Sequence, residues 1–167
     1  MPTIYAECTR DVENLANTII RDHYPDLAEA DVTIKYLFAR AEGNGPALTH
    51  NGYQASAIVR INNLQKRVEG LTDATVAIDQ EQWEDLSEQE RAALLDHELM
   101  HLEVKRNEAK AIKYDDANRP MLRMRKHDWN HGGFLDIAKR HGENALDVQA
   151  IQAVHRKFVQ MELEFAA

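Results

Sequence analysis

The chain is poor in cysteine, in positive charge and in long apolar runs, and each shortage excludes something. Cys8 is the only cysteine among 167 residues. No internal disulfide can form, and no cysteine-rich zinc ribbon can be built. A lone thiol suits a reducing compartment. The formal net charge is -8, which disfavours non-specific clinging of the whole protein to nucleic acid or acidic membranes. No stretch approaches the roughly 20 apolar residues of a membrane-spanning helix. Residues 1–7 lack the basic and apolar regions of a signal peptide. A cytoplasmic location, with no membrane partner, is the resulting expectation. No internal repeat or low-complexity tract is visible.

What remains is an ordinary globular composition, 44% apolar, in a chain long enough to bury a core as one domain spanning 1–167. The conspicuous segment is His97-Glu98-Leu99-Met100-His101. It reads H-E-x-x-H, the signature of zinc-dependent hydrolases. On an α-helix, residues four apart lie above one another on the same face. His97 and His101 can therefore offer two imidazole nitrogens to one Zn2+ ion. Glu98 stands one step round the helix, placed to act as general base towards a water at the metal's open position.

The surroundings support a helix at that place. Ser87 and Glu90 form a capping-box pattern, and Arg91 to Asp96 are good helix formers. Ala92, Leu95, Leu99 and Leu102 make an apolar stripe suited to a core, with the two histidines to one side of it. The motif helix is expected from Ser87 to about residue 110.

Elsewhere, Val12, Leu15, Ala16, Ile19 and Ile20 predict a helix over 9–24, ended by Tyr24-Pro25-Asp26. Alternation of Val32, Ile34, Tyr36 and Phe38 predicts a strand over 31–40. Residues 42–46 read as a loop, 55–61 as a strand and 74–79 as a further strand leading to Trp83. Residues 114–120 resemble a hairpin turn, followed by a short strand at 121–124. Gly132-Gly133 precedes a helix over 134–140, stopped at Gly142. A long helix, about 145–165, carries Leu146, Ile151, Val154, Phe158, Met161 and Phe165. The fold class is α+β, with a small mixed or antiparallel sheet beside the motif helix.

A catalytic zinc site needs a third protein ligand. His127 and His131 are the candidates; His23, His50, His141 and His155 read as surface histidines. The run Leu94 to His101, followed by Arg123-Met124-Arg125-Lys126-His127-Asp128, Phe134 and Gly142, resembles the phage metallopeptidase family. That family is similar to the SprT-like minimal zincins. The resemblance spans about residues 50–142 and includes the 74–79 strand and Trp83. It implies a small zincin-like domain, with a core of about 30–142, the C-terminal helices following. It makes His97, His101 and His127 the zinc ligands and Glu98 the general base. The gap from His127 to Phe134 is about two residues longer than the family pattern, which keeps His131-Gly132 in play as the alternative third ligand. Asp128, and less directly Asp96, could orient a ligand imidazole from behind.

The implied activity is hydrolysis of peptide bonds by an endopeptidase, encoded by a phage or prophage and acting on intracellular proteins. A peptide could lie along an edge strand, with 74–79 as the candidate. Tyr114, Arg123 and Arg125 are candidate contacts to the substrate oxyanion. Residues 105–126 carry eight basic and three acidic residues, a local excess that could steer an acidic or nucleic-acid-bound protein. Two other readings stand beside the peptidase: a catalytically idle, zinc-stabilised adaptor in phage–host conflict, and a protease acting on nucleic-acid-bound proteins. Oligomeric state and cleavage preference are not legible.

Overall fold

The computed structural model of the chain describes residues 2–127, 139, 141–144 and 146–165. They fall into two compact units, Met1–Lys126 and His127–Ala167. In the first, strand β1 (Thr3–Glu7) is followed by helices α1 (Arg10–His23) and α2 (Pro25–Glu29) and strand β2 (Ile34–Ala41). A two-stranded ribbon, β3 (Thr49–His50) and β4 (Tyr53–Gln54), precedes β5 (Ala57–Ile61), the short helix α3 (Leu64–Val68) and β6 (Ala74–Asp79). Helices α4 (Gln80–Asp85) and α5 (Glu88–Met100) come next, then strands β7 (Leu102–Val104) and β8 (Leu122–Met124). The second unit contains a 3₁₀ turn, Gly142–Asn144, and helix α6 (Leu146–Phe165).

The fold is thus α+β, with a mixed four-stranded sheet in the order β1-β2-β6-β5. Strands β2 and β6 run parallel, with Ile34 opposite Ala74, while β1 and β5 are antiparallel to their neighbours. Side chains alternate across a strand, and here one face receives Tyr36, Val59, Val76 and Ile78. Helix α1 adds Val12, Ala16 and Ile19, and α5 adds Leu95 and Leu99; Ile78, Leu95 and Leu99 are wholly buried. The apolar stripe read from the motif segment is therefore the stripe that packs, with Ala92 at its margin.

Three expectations need correction. First, the motif helix ends at Met100, not near residue 110. After His101 the chain turns to a period of two: Leu102 and Val104 are buried and Glu103 faces outward. This alternation, with a β-branched valine, pairs with β8, Val104 opposite Leu122 and Glu103 opposite Arg123. The partner strand lies some 20 residues on in sequence, so local helix propensity was outweighed by a distant pairing.

Second, residues 74–79 do not form an edge strand; β6 lies inside the sheet, and the edge beside α5 is β5. Ala74, Val76 and Ile78 are buried and Thr75 and Ala77 half-buried, so neither face of the strand is open to solvent. Third, β1, α2, α3 and α4 carry too little periodicity to be read, being five or six residues each. β1 is mostly exposed and exists through its pairing with β2. The helix expected over 134–140 lies outside the described residues except for Lys139.

Between β7 and β8 the chain makes two small loops closed at one point. The Lys113 N–H donates to the Lys105 carbonyl, Lys105 N–H to Met121 and Met121 N–H to Lys113 (2.8–2.9 Å). The expected turn is present in the second loop: Asp115 Oδ1 accepts the Ala117 and Arg119 N–H groups, and Asn118 takes positive φ, which asparagine tolerates. Two ion pairs fasten this loop, one to the residue that leads into β6 and one to α3. Arg119 grips the wholly buried Asp73 with Nε on Oδ1 (3.1 Å) and Nη2 on Oδ2 (2.6 Å). Arg67 Nη1 lies 2.9 Å from Asp115 Oδ2, both side chains being nearly buried.

Burial pushes the Asp73 carboxyl upward, but Arg119 and the Thr33 N–H and hydroxyl outweigh it and leave the group below its ordinary value. A depressed folded-state pKa stabilises the protein above the unfolded value, about 3.9, and that contribution vanishes as pH falls through the folded value. Asp73→Asn should therefore lower stability at pH 7 and flatten its loss below about pH 4, as read by urea titrations across pH. Leu95→Ala should lose about 2–5 kcal/mol through the cavity it leaves, measured by the same titration.

Candidate metal centre

Helix α5 begins with a complete capping box. Ser87 Oγ accepts the Glu90 N–H, and the Glu90 carboxylate accepts the Ser87 N–H. With Leu95 and Leu99 locked in the core, His97 and His101 must project to one side of the buried stripe. Their rings stand edge to face with centroids 5.1 Å apart, the spacing expected of an i, i+4 pair. Ligand nitrogens of His97, His101 and His127 all lie within 4.8 Å of one another.

His101 is further fixed by the backbone. Its Nδ1 is 2.7 Å from the Arg125 carbonyl, and its own carbonyl accepts the Arg125 N–H at 2.8 Å. A carbonyl oxygen can only accept, so Nδ1 carries the proton and Nε2 keeps its lone pair. That is the tautomer a ligand imidazole needs, held by an outer partner. Three imidazoles, with no thiolate among them, make a donor set that suits zinc and several other transition metals.

Glu98 is buried, 5% exposed. Burial pushes its carboxyl above the ordinary value; the nearby His101 and the Val59 N–H, which it accepts, pull the other way. The Val59 amide belongs to edge strand β5 and points off the sheet towards α5. A carboxylate kept from water beside a cluster of imidazoles is a group poised to exchange a proton.

A contact that sequence reasoning missed lies behind the helix. The Tyr24 hydroxyl, at the α1–α2 junction, lies within bonding distance of the Asp96 carboxylate and of its backbone carbonyl (2.9 Å). Burial and Asp96 together push the phenol well above its usual value, with Arg125 opposing. Asp96 thus anchors the helix to α1, and no spacing within the sequence announces a partner 72 residues away. A groove of about 160 Å³ opens there, lined among others by Tyr24, Met100 and Arg125.

Of the remaining candidates, Arg123 pairs with Glu103 across the β7–β8 ribbon, and Arg125 Nη1 reaches Met100 Sδ at 3.3 Å. Tyr114 is exposed, its backbone bridged to Pro120. Asp128 and His131 lie outside the described residues. His141 and His155 are exposed and His50 sits in the β3–β4 ribbon, in keeping with surface roles; His23 borders the groove. Within the basic segment, Arg106 is bound to Asp26 and Glu29 and Arg119 to Asp73.

A mixed sheet, a helix carrying His-Glu-x-x-His and a three-histidine cluster together define a metal-site domain. The chain matches the family model "Putative phage metallopeptidase" over residues 4–159, and it belongs to that family. No curated protein and no solved structure matches it. Among the described residues, no helix is long and apolar enough to cross a membrane.

Tyr24→Phe removes the hydroxyl bonded to Asp96. It should reduce stability by about 1.5–3 kcal/mol, the usual loss for a hydrogen bond to a charged group, in chemical denaturation.

Proposed function

We propose that this chain is a zinc endopeptidase of the minimal zincin type, encoded by a phage or prophage and acting on proteins inside the host cell. The observation that carries this reading is the buried Glu98 adjoining the three-histidine cluster. A purely structural zinc site has no use for a carboxylate kept from water beside it, and burial of that group costs stability unless chemistry needs it.

In this reading His97, His101 and His127 hold the ion. When bound, zinc supplies Lewis-acid polarisation and lowers the pKa of water. Glu98 accepts the proton released during attack on the peptide carbonyl and delivers it to the leaving amine. The Val59 N–H keeps the carboxylate aimed, and the raised affinity of Glu98 for a proton brings it nearer to working pH. Strand β5, at the edge of the sheet, offers an extended peptide a strand to pair with, which would place a backbone carbonyl beside Glu98 without any need for a deep pocket. The whole chain, 1–167, works as one peptidase domain. Because Arg106, Arg119 and Arg123 are taken up by internal acids, the basic segment steers substrates less than its composition suggests, and a protein substrate is favoured over a nucleic-acid-bound one.

Elemental analysis of protein purified without chelator should find about one zinc per chain, the stoichiometry of a single three-ligand site. His97→Ala and His127→Ala should lose it and His131→Ala should keep it. Retention by His127→Ala with loss by His131→Ala would move the third ligand to His131. Glu98→Gln should retain zinc while cleavage of a labelled unfolded protein such as casein falls about 10²–10⁴-fold, the range expected on removing a general base. Full cleavage by Glu98→Gln would sink the assignment.

A further inference from the structure

Arg119 stands far along the chain from the metal-ligand candidates of α5, in the second loop between β7 and β8. Its surroundings are more elaborate than a surface arginine requires. Besides the two-pronged grip on Asp73, its Nη2 donates to the Asp31 carbonyl (3.1 Å) and approaches the Thr33 hydroxyl (3.3 Å). Asp73 Oδ2 is saturated by the Thr33 N–H (2.8 Å) and hydroxyl (2.9 Å) as well. Thr33 and Asp73 directly precede β2 and β6, the parallel pair at the centre of the sheet. One loop of the β7–β8 excursion is thus tied to the residues that lead into that central pair.

The bolt has a path to the site. The Arg119 N–H is held by Asp115, whose other oxygen faces Arg67 of α3. Arg67 Nη1 also donates to the Pro120 carbonyl (3.2 Å). Next, Met121 closes the loops against Lys113 and Lys105. Leu122, buried, begins β8, and one residue past β8 Arg125 exchanges two hydrogen bonds with His101. The strand that meets His101 is therefore placed from its far end at Arg119 and at Pro120, which Arg67 holds, six and five residues before Arg125. At His101 the backbone of α5 ends as a helix cap.

We propose that Arg119, through its grip on Asp73 and Thr33, is a positioning residue for the metal centre: it sets the β8 exit so that the Arg125 carbonyl locks His101 in the Nδ1–H tautomer with Nε2 presented to the ion. The inference rests on the metal-site reading for its importance, but the tautomer lock is a property of the metal-free chain. Ligand orientation set from outside the coordination sphere commonly governs metal affinity by 10–100-fold.

The test compares wild type, Arg119→Met and Arg119→Lys. Arg119→Met abandons a buried carboxylate and can unfold the protein. Arg119→Lys keeps a positive charge opposite Asp73 while losing the fork that spans both oxygens. The first readout is the ¹⁵N spectrum of the His101 ring in metal-free protein. The second is affinity for Zn2+ by competition with a chromophoric chelator, with cooperative unfolding as the check on folding. In wild type, His101 should show one fixed tautomer. In folded Arg119→Lys it should average between tautomers, and zinc affinity should fall about tenfold or more. A fixed tautomer and unchanged affinity in a folded Arg119→Lys that is merely less stable would overturn the proposal, as Arg119 would then be a structural bolt only. If wild type binds no zinc at all, the peptidase reading fails, while the ring spectrum still decides whether Arg119 sets the tautomer.

Discussion

The reciprocal pair of hydrogen bonds between His101 and the backbone of Arg125 is the constraint on which the site depends. His101 closes the helix, and the last turn of any helix leaves carbonyls without partners. Here the chain reverses into β7 at once, and Arg125, just past the returning β8, supplies both a donor to the His101 carbonyl and an acceptor for its ring. One pairing ends the helix and orients the imidazole. Because the histidines occupy the final turn and cap of α5, a cation held by them also lies towards the helix's negative end.

The same arrangement explains why Glu98 is buried. The sheet edge β5 packs on α5, so a residue facing that edge from the last turn of the helix loses water. The Val59 amide compensates part of the loss, and burial keeps the carboxyl above its ordinary value. In a reaction that requires proton uptake from water, that elevation is useful. The edge strand therefore has two roles in the proposed peptidase: it tunes Glu98 from one side and leaves its remaining backbone groups for an extended peptide.

Ion pairs complete the framework. Arg106, Arg119 and Arg123 turn an apparently basic tract into three ties, to α2, to the sheet and across the β7–β8 ribbon. The exposed ties contribute little energy individually. The buried Asp73 matters because removing its partner would strand a charge.

Much of the site was legible because it is local. His97, Glu98 and His101 lie within five residues, so helical geometry alone puts the imidazoles on one face, and the capping box and the Leu95–Leu99 stripe fix where that helix starts and which side it buries. The α+β class and strands β2, β5 and β6 also follow from short-range alternation. What only tertiary structure decided is everything carried by pairings distant in sequence. Those are the end of α5 at Met100, forced by β8; the interior place of β6, set by β5 folding against it; and the partners of Tyr24 and Arg119, 72 and 46 residues off. A sequence states which residues can form a helix or a strand. Which strand stands at the edge, and which carbonyl meets an imidazole, depends on loop closure and packing that no local pattern encodes.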